Sequence, residues 1–110
     1  KYQELANNFQ FSQEYKRNVY DCSEISYEFA NQLKVYYPET YIVWGRTTML
    51  NNNHAWVYII DKNNKIVYDP AMFNNYNSQS RESISLDYYT NKYYEIHTYS
   101  DFDDFLGETL

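Results

Sequence analysis

Tyr20-Asp21-Cys22-Ser23-Glu24-Ile25 decides how the chain is read, because it joins the only cysteine to the signature of a helix start. Asp21 is suited to accept from the first helical amides as an N-cap, and Glu24, three residues on, completes a capping box. Cys22 is then the first helical residue. Ile25, Phe29 and Leu33 follow it along one face with Ser26 and Ala30, while Tyr27, Glu28, Asn31 and Gln32 lie elsewhere. The pattern predicts an amphipathic helix lying on a sheet, with the thiol at its tip. Orphan amides and the helix dipole favour a thiolate there, whereas Asp21 and Glu24 oppose it, so the sulfur needs a cationic partner such as an imidazolium. A lone cysteine is most often a small buried hydrophobe, and a nucleophile requires a base as well as a thiol.

Outward from that helix, Pro38 in Tyr36-Tyr37-Pro38 ends the helical pattern. Tyr41 to Thr48 and His54 to Ile60 read as strands, rich in β-branched and aromatic residues, with Asn51-Asn52-Asn53 as the loop between them. Asp61 to Lys65 is a turn by composition, Ile66 to Asp69 returns as a strand, and Pro70 closes it. Phe73 to Ser85 reads as an exposed irregular loop and Lys92 to Tyr99 as a further strand. Ser100 to Asp103 looks like the capped start of a closing helix carrying Phe102, Phe105 and Leu106. Before the cysteine, Leu5, Ala6 and Phe9 predict a helix over residues 3–16. Strands this closely spaced leave no room for helical crossovers, so the expected class is α+β with the cysteine helix against an antiparallel sheet.

The 110 residues fit a single domain, and the start at Lys1 is what a domain excised from a longer chain would have. No stretch is apolar enough to span a membrane and no secretory signal is visible. Fifteen acidic against nine basic side chains give a net charge of −6, which argues against nucleic acid as a partner. Fifteen tyrosines supply amphipathic rings for core and surface alike, and the tyrosine and asparagine bias leans toward an extracellular or cell-envelope setting. One cysteine excludes an internal disulfide and a thiolate zinc cluster. No cofactor or metal is called for, because Cys22 and His54 would be the only soft ligand and imidazole of a site with Asp69. Oligomeric state is not legible.

The chemistry turns on whether His54 and Asp69 can join Cys22. A thiol nucleophile needs a base in hydrogen-bond reach and a third group to orient it. His54 begins one strand and Asp69 ends the next, so antiparallel pairing brings the two ends together. Register tests this: a tight Asn63-Asn64 turn places Asp69 opposite Tyr58, about 13 Å from His54. The triad therefore predicts a wider or bulged turn centred nearer Asp61-Lys62, with the Asp69 carboxylate beside His54. Trp56 shares strand parity with His54 and reads as core or cleft wall. Asn18, Gln13 and Tyr20 are candidates for a second oxyanion donor beside the Cys22 amide, and His97 reads as a structural or surface histidine.

Asp21-Cys22-Ser23-Glu24, Val43-Trp44-Gly45, His54-Ala55-Trp56-Val57 and Tyr68-Asp69-Pro70, in this order over residues 18–70, resemble the transglutaminase-like superfamily of papain-like thiol enzymes. The resemblance implies Cys22 as nucleophile, His54 as general acid/base, Asp69 as orienter, and a papain-like core with the nucleophile helix on an antiparallel sheet. It departs in Tyr20, where small residues commonly precede the Asp-Cys pair, so that a ring narrows or lines the cleft. The flanking domains of the large animal enzymes are also missing. The expected function is a thiol hydrolase of amide bonds, a peptidase or isopeptidase acting on a peptide or protein through a thioester. Acyl transfer from a protein glutamine to an amine, or a catalytically silent binding module of the same fold, are the alternatives.

Overall fold

The computed structural model describes residues 1–17, 20–47, 53–75, 81–87 and 93–109. In chain order these form α1 (Tyr2–Asn8), α2 (Cys22–Lys34), β1 (Thr40–Thr47), β2 (Asn53–Asp61), β3 (Asn64–Tyr68), a 3₁₀ helix (Pro70–Asn75), β4 (Tyr93–Tyr99) and α3 (Phe102–Thr109). The strands make one sheet in the order β3-β2-β1-β4, with every pairing antiparallel. The class is α+β, as the strand spacing predicts. No helix among the described residues is long and apolar enough to cross a membrane.

Helix α2 starts where its capping residues require. The Asp21 side chain accepts the Ser23 amide at 3.2 Å, and Glu24 accepts the Asp21 amide at 3.0 Å. Its Ile25, Phe29, Ala30 and Leu33 are fully buried against Ile42 of β1 and Ala55, Val57 and Ile59 of β2. The α3 residues Phe102 and Phe105 close the same core, and the Asp101 carboxylate caps α3 by accepting the Asp103 and Asp104 amides. The opposite sheet face carries a smaller cluster of Val43, Trp56, Val67 and Tyr93.

Three expectations need correction. The first helix stops at Asn8 rather than running to residue 16, because Phe9 turns extended at ψ 131°. Arg81 Nη1 then donates to the Ala6 and Phe9 carbonyls at 3.2 and 2.6 Å, satisfying the helix end from far along the chain. The stretch from Phe73 to Ser85 is consequently less open than its composition suggests. Phe73 is buried, and the Ile84 amide donates to the Val67 carbonyl at 2.7 Å, covering the β3 edge; residues 76–80 lie outside the described set.

The third correction concerns register. Asp61 pairs with Asn64 and Val57 with Tyr68, so the β2–β3 turn is the two-residue Lys62-Asn63, neither a wide turn nor Asn63-Asn64. Both turn residues have positive φ, 51° and 68°, which matches the right-handed twist of a tight hairpin. The ladder ends with Asp69 one step past Tyr68, next opposite Trp56 and diagonal to His54. That leaves two residues along the strand, roughly 7 Å, which two side chains on one face can bridge.

Candidate active site

The site forms at the end of the sheet, where the tip of α2 meets the start of β2 and the chain leaving β3. His54 Nε2 lies 2.7 Å from Asp69 Oδ2, within the range of a charge-assisted hydrogen bond. The Asp69 side chain is 2% exposed and that of His54 is 19%, so the carboxylate is sealed while an edge of the imidazole reaches solvent. Cys22, half-buried, lies near enough to the same imidazole to raise its proton affinity. Asp69 occupies Nε2, so Nδ1 is the ring nitrogen not engaged by the carboxylate.

Burial is the largest single influence on His54 and disfavours its cation. The charge and hydrogen bond of Asp69, joined by the hydrogen bond and charge of Cys22, together outweigh it and raise the imidazole to about 10. The balance favours the imidazolium, the kind of cationic partner expected from the sequence. Glu24 opposes the thiolate less than its type suggests. Burial raises its carboxyl pKa, with the Asp21 amide pulling the other way, and its Oε2 has no partner among the described residues.

The α2 amides are also allotted. Asp21 takes the Ser23 and Glu24 amides by its side chain and the Ile25 amide by its carbonyl. Cys22 is the first residue of the helix, and the first amides of a helix have no partner within it. An orphan donor of this kind is where a developing oxyanion is stabilised.

Behind the imidazole is an aromatic stack. His54 lies 5.9 Å from Trp56 and 5.7 Å from Tyr93, and these two rings are 4.7 Å apart, all within 30° of parallel. The stack needs Gly45: a Cβ built there would collide with the Trp56 ring and lie 2.5 Å from the Tyr94 carbonyl oxygen. Gly45→Ala is expected to cost about 1–3 kcal/mol by overpacking, while Gly107→Ala, with nothing within 4 Å in helix α3, is neutral or stabilising. Thermal denaturation of the two variants checks this; equal midpoints would show that the indole yields freely.

The remaining candidates separate. Trp56 is fully buried and backs the imidazole as core, without lining a cleft. Tyr20 is likewise buried, and its hydroxyl donates to Glu28 and accepts the Ser12 amide at 3.2 Å. Glu28 stands six helical residues from Cys22, about 9 Å along the axis, so the Tyr20 hydroxyl is held away from the sulfur as an anchor of the residue 10–17 segment. This corrects the expectation that its ring lines the cleft or donates there. Gln13 is exposed on that segment, and Asn18 lies outside the described residues. His97 is exposed and stacks on Tyr99 at 4.2 Å, remote in role from the site.

Two residues escaped the sequence reading. Tyr93 Oη donates to Asp69 Oδ2 at 2.9 Å from inside the protein. Tyr15, half-exposed, has its phenol pKa raised by burial and then by the charges of Cys22 and Asp21, which puts it in electrostatic reach of the sulfur. Neither carries a motif; a tyrosine among fifteen has no signal of its own. Compared with protein-family models, curated proteins and solved structures, the chain matches none.

Proposed function

We propose that the protein is a thiol hydrolase of amide bonds, a peptidase or isopeptidase, with Cys22, His54 and Asp69 as its triad on a papain-like, transglutaminase-like core. The observation that supports the reading is one imidazole held by a sealed carboxylate, with a half-buried thiol at a helix tip near enough to act on its proton affinity. A histidine serving only to fill space would not need a buried carboxylate on one nitrogen and the chain's one cysteine close by.

In this reading the Cys22 sulfur, its proton held by His54, attacks the amide carbonyl carbon. The oxyanion that forms is met by the Cys22 amide. The C–N bond then breaks, His54 gives its proton to the leaving amine, and a thioester remains on Cys22. Water, deprotonated by His54, attacks the thioester; the C–S bond breaks and returns the thiol with a carboxylic acid. Asp69 keeps the imidazole oriented and offsets its charge throughout without taking the proton.

A peptide library incubated with the protein is expected to show new termini that vanish with Cys22→Ala, a loss of about 10⁴-fold or more for a nucleophile deletion. Mass spectrometry of the products distinguishes hydrolysis from incorporation of an added labelled amine. Identical product profiles from the two proteins would end the enzyme reading in favour of a binding module.

A further inference from the structure

We propose that Tyr93 is a positioning residue of this site, its hydroxyl holding Asp69 Oδ2 and its ring backing His54, so that the imidazole–carboxylate pair stays aimed at Cys22. The proposal rests on the thiol-hydrolase reading above and deepens it. Tyr93 Oη and His54 Nε2 meet the same carboxylate oxygen, at 2.9 and 2.7 Å. The Tyr93 ring is 3% exposed and inclined 24° to the imidazole.

The backbone arranges this contact by an irregularity. Between β1 and β4 the register shifts, so that Trp44 pairs with His97 but Gly45 pairs with Glu95, leaving Ile96 as an extra residue. A bulge of one residue exchanges the faces of everything beyond it. Without it Tyr93 would share the α2 side with Tyr99; with it Tyr93 joins Val43 and Trp56 on the other side, where Asp69 and His54 are. The bulge sits at Gly45, the position that also makes room for Trp56.

The chemistry that needs the hydroxyl follows from the burial of Asp69. Its Oδ1 has no partner among the described residues, so the donors on Oδ2 carry the task of balancing a carboxylate shut away from water. While His54 is an imidazolium this is easily met. Once His54 has handed its proton to a leaving amine, only a neutral N–H remains on that side, and the Tyr93 hydroxyl is the other donor to Oδ2. Removing it makes the pair cling to its proton. The groups around the imidazole are Cys22 from α2, Asp69 beyond β3, and Tyr93 with Trp56 from the sheet; Lys65 and Glu95, further along that face, pair with each other at 2.8 Å.

The test is the titration of His54 in the full chain by ¹H–¹⁵N NMR, in a His97→Gln background that leaves one of the two histidines. Tyr93→Phe, which keeps the ring, is expected to move proton release upward by about half a pH unit or more. Fluorotyrosine at position 93, a stronger donor, moves it downward. On a cleaved peptide, kcat of Tyr93→Phe falls about tenfold with KM little changed. A lower melting temperature with an unmoved titration would reduce Tyr93 to packing and overturn the proposal. If Tyr93→Phe does not fold, the fluorotyrosine protein decides, and an unmoved titration there is equally fatal. The titration needs no substrate, so its outcome is separate from whether the protein cleaves amides.

Discussion

Replacing His54 with alanine is expected to slow alkylation of Cys22 by iodoacetamide at pH 6 by at least about tenfold, and to lower amide turnover by about 10⁴-fold. The two effects have one source. An unpartnered thiol with an ordinary value near 8.5 is only about 0.3% thiolate at pH 6. The proposed role of His54 is to supply, as an imidazolium that persists to about 10, the positive charge beside the sulfur that alanine cannot. Cys22 is only half-buried, so the reagent reaches it in both proteins. The rates should converge above pH 9, where any thiol ionises. Superimposable pH–rate profiles for the two proteins would mean that the imidazole does not activate the sulfur.

Asp69→Asn is expected to destabilise the protein by about 3–5 kcal/mol near pH 6, because it leaves a buried imidazolium without its counter-charge. The pH dependence identifies the cause. His54 binds its proton more tightly folded, to about 10, than unfolded, near 6.5. The contribution of this pair is therefore fully present below about pH 6.5 and is lost as pH rises toward 10. Denaturant midpoints of the parent protein should fall across that window, and the fall should largely disappear in Asp69→Asn. A parent protein whose stability is flat from pH 6.5 to 10 would contradict a protonated His54 held by Asp69.

Much of this site is legible in the sequence. Asp21 and Glu24 are local signals acting over three residues, and the helix begins where they place it, with Cys22 first. Ile25, Phe29 and Leu33 declare the buried face, and the β-branched and aromatic runs declare the strands, since these patterns follow from side-chain periodicity alone. His54 at one strand start and Asp69 at the end of the next already place the two at the same end of the sheet.

Tertiary structure decided the rest, and the reasons are particular. The asparagine-rich turn offers three registers that differ by two residues each. A shift of two leaves every side chain on its own face, so the hydrophobic pattern cannot choose among them. The fold chose Lys62-Asn63, and the diagonal reach from Asp69 to His54 replaced the direct pairing. Placement of Tyr93 was hidden for another reason: Tyr93 and Tyr94 are the same residue, so alternation cannot tell which turns inward. Only the bulge opposite Gly45 settles it. Local sequence thus determined which residues start and end each element, because capping and periodicity act within a few positions. Which of them converge on Asp69 was left to packing across strands, because register and bulges are set by the neighbour a strand finds and not by the strand itself.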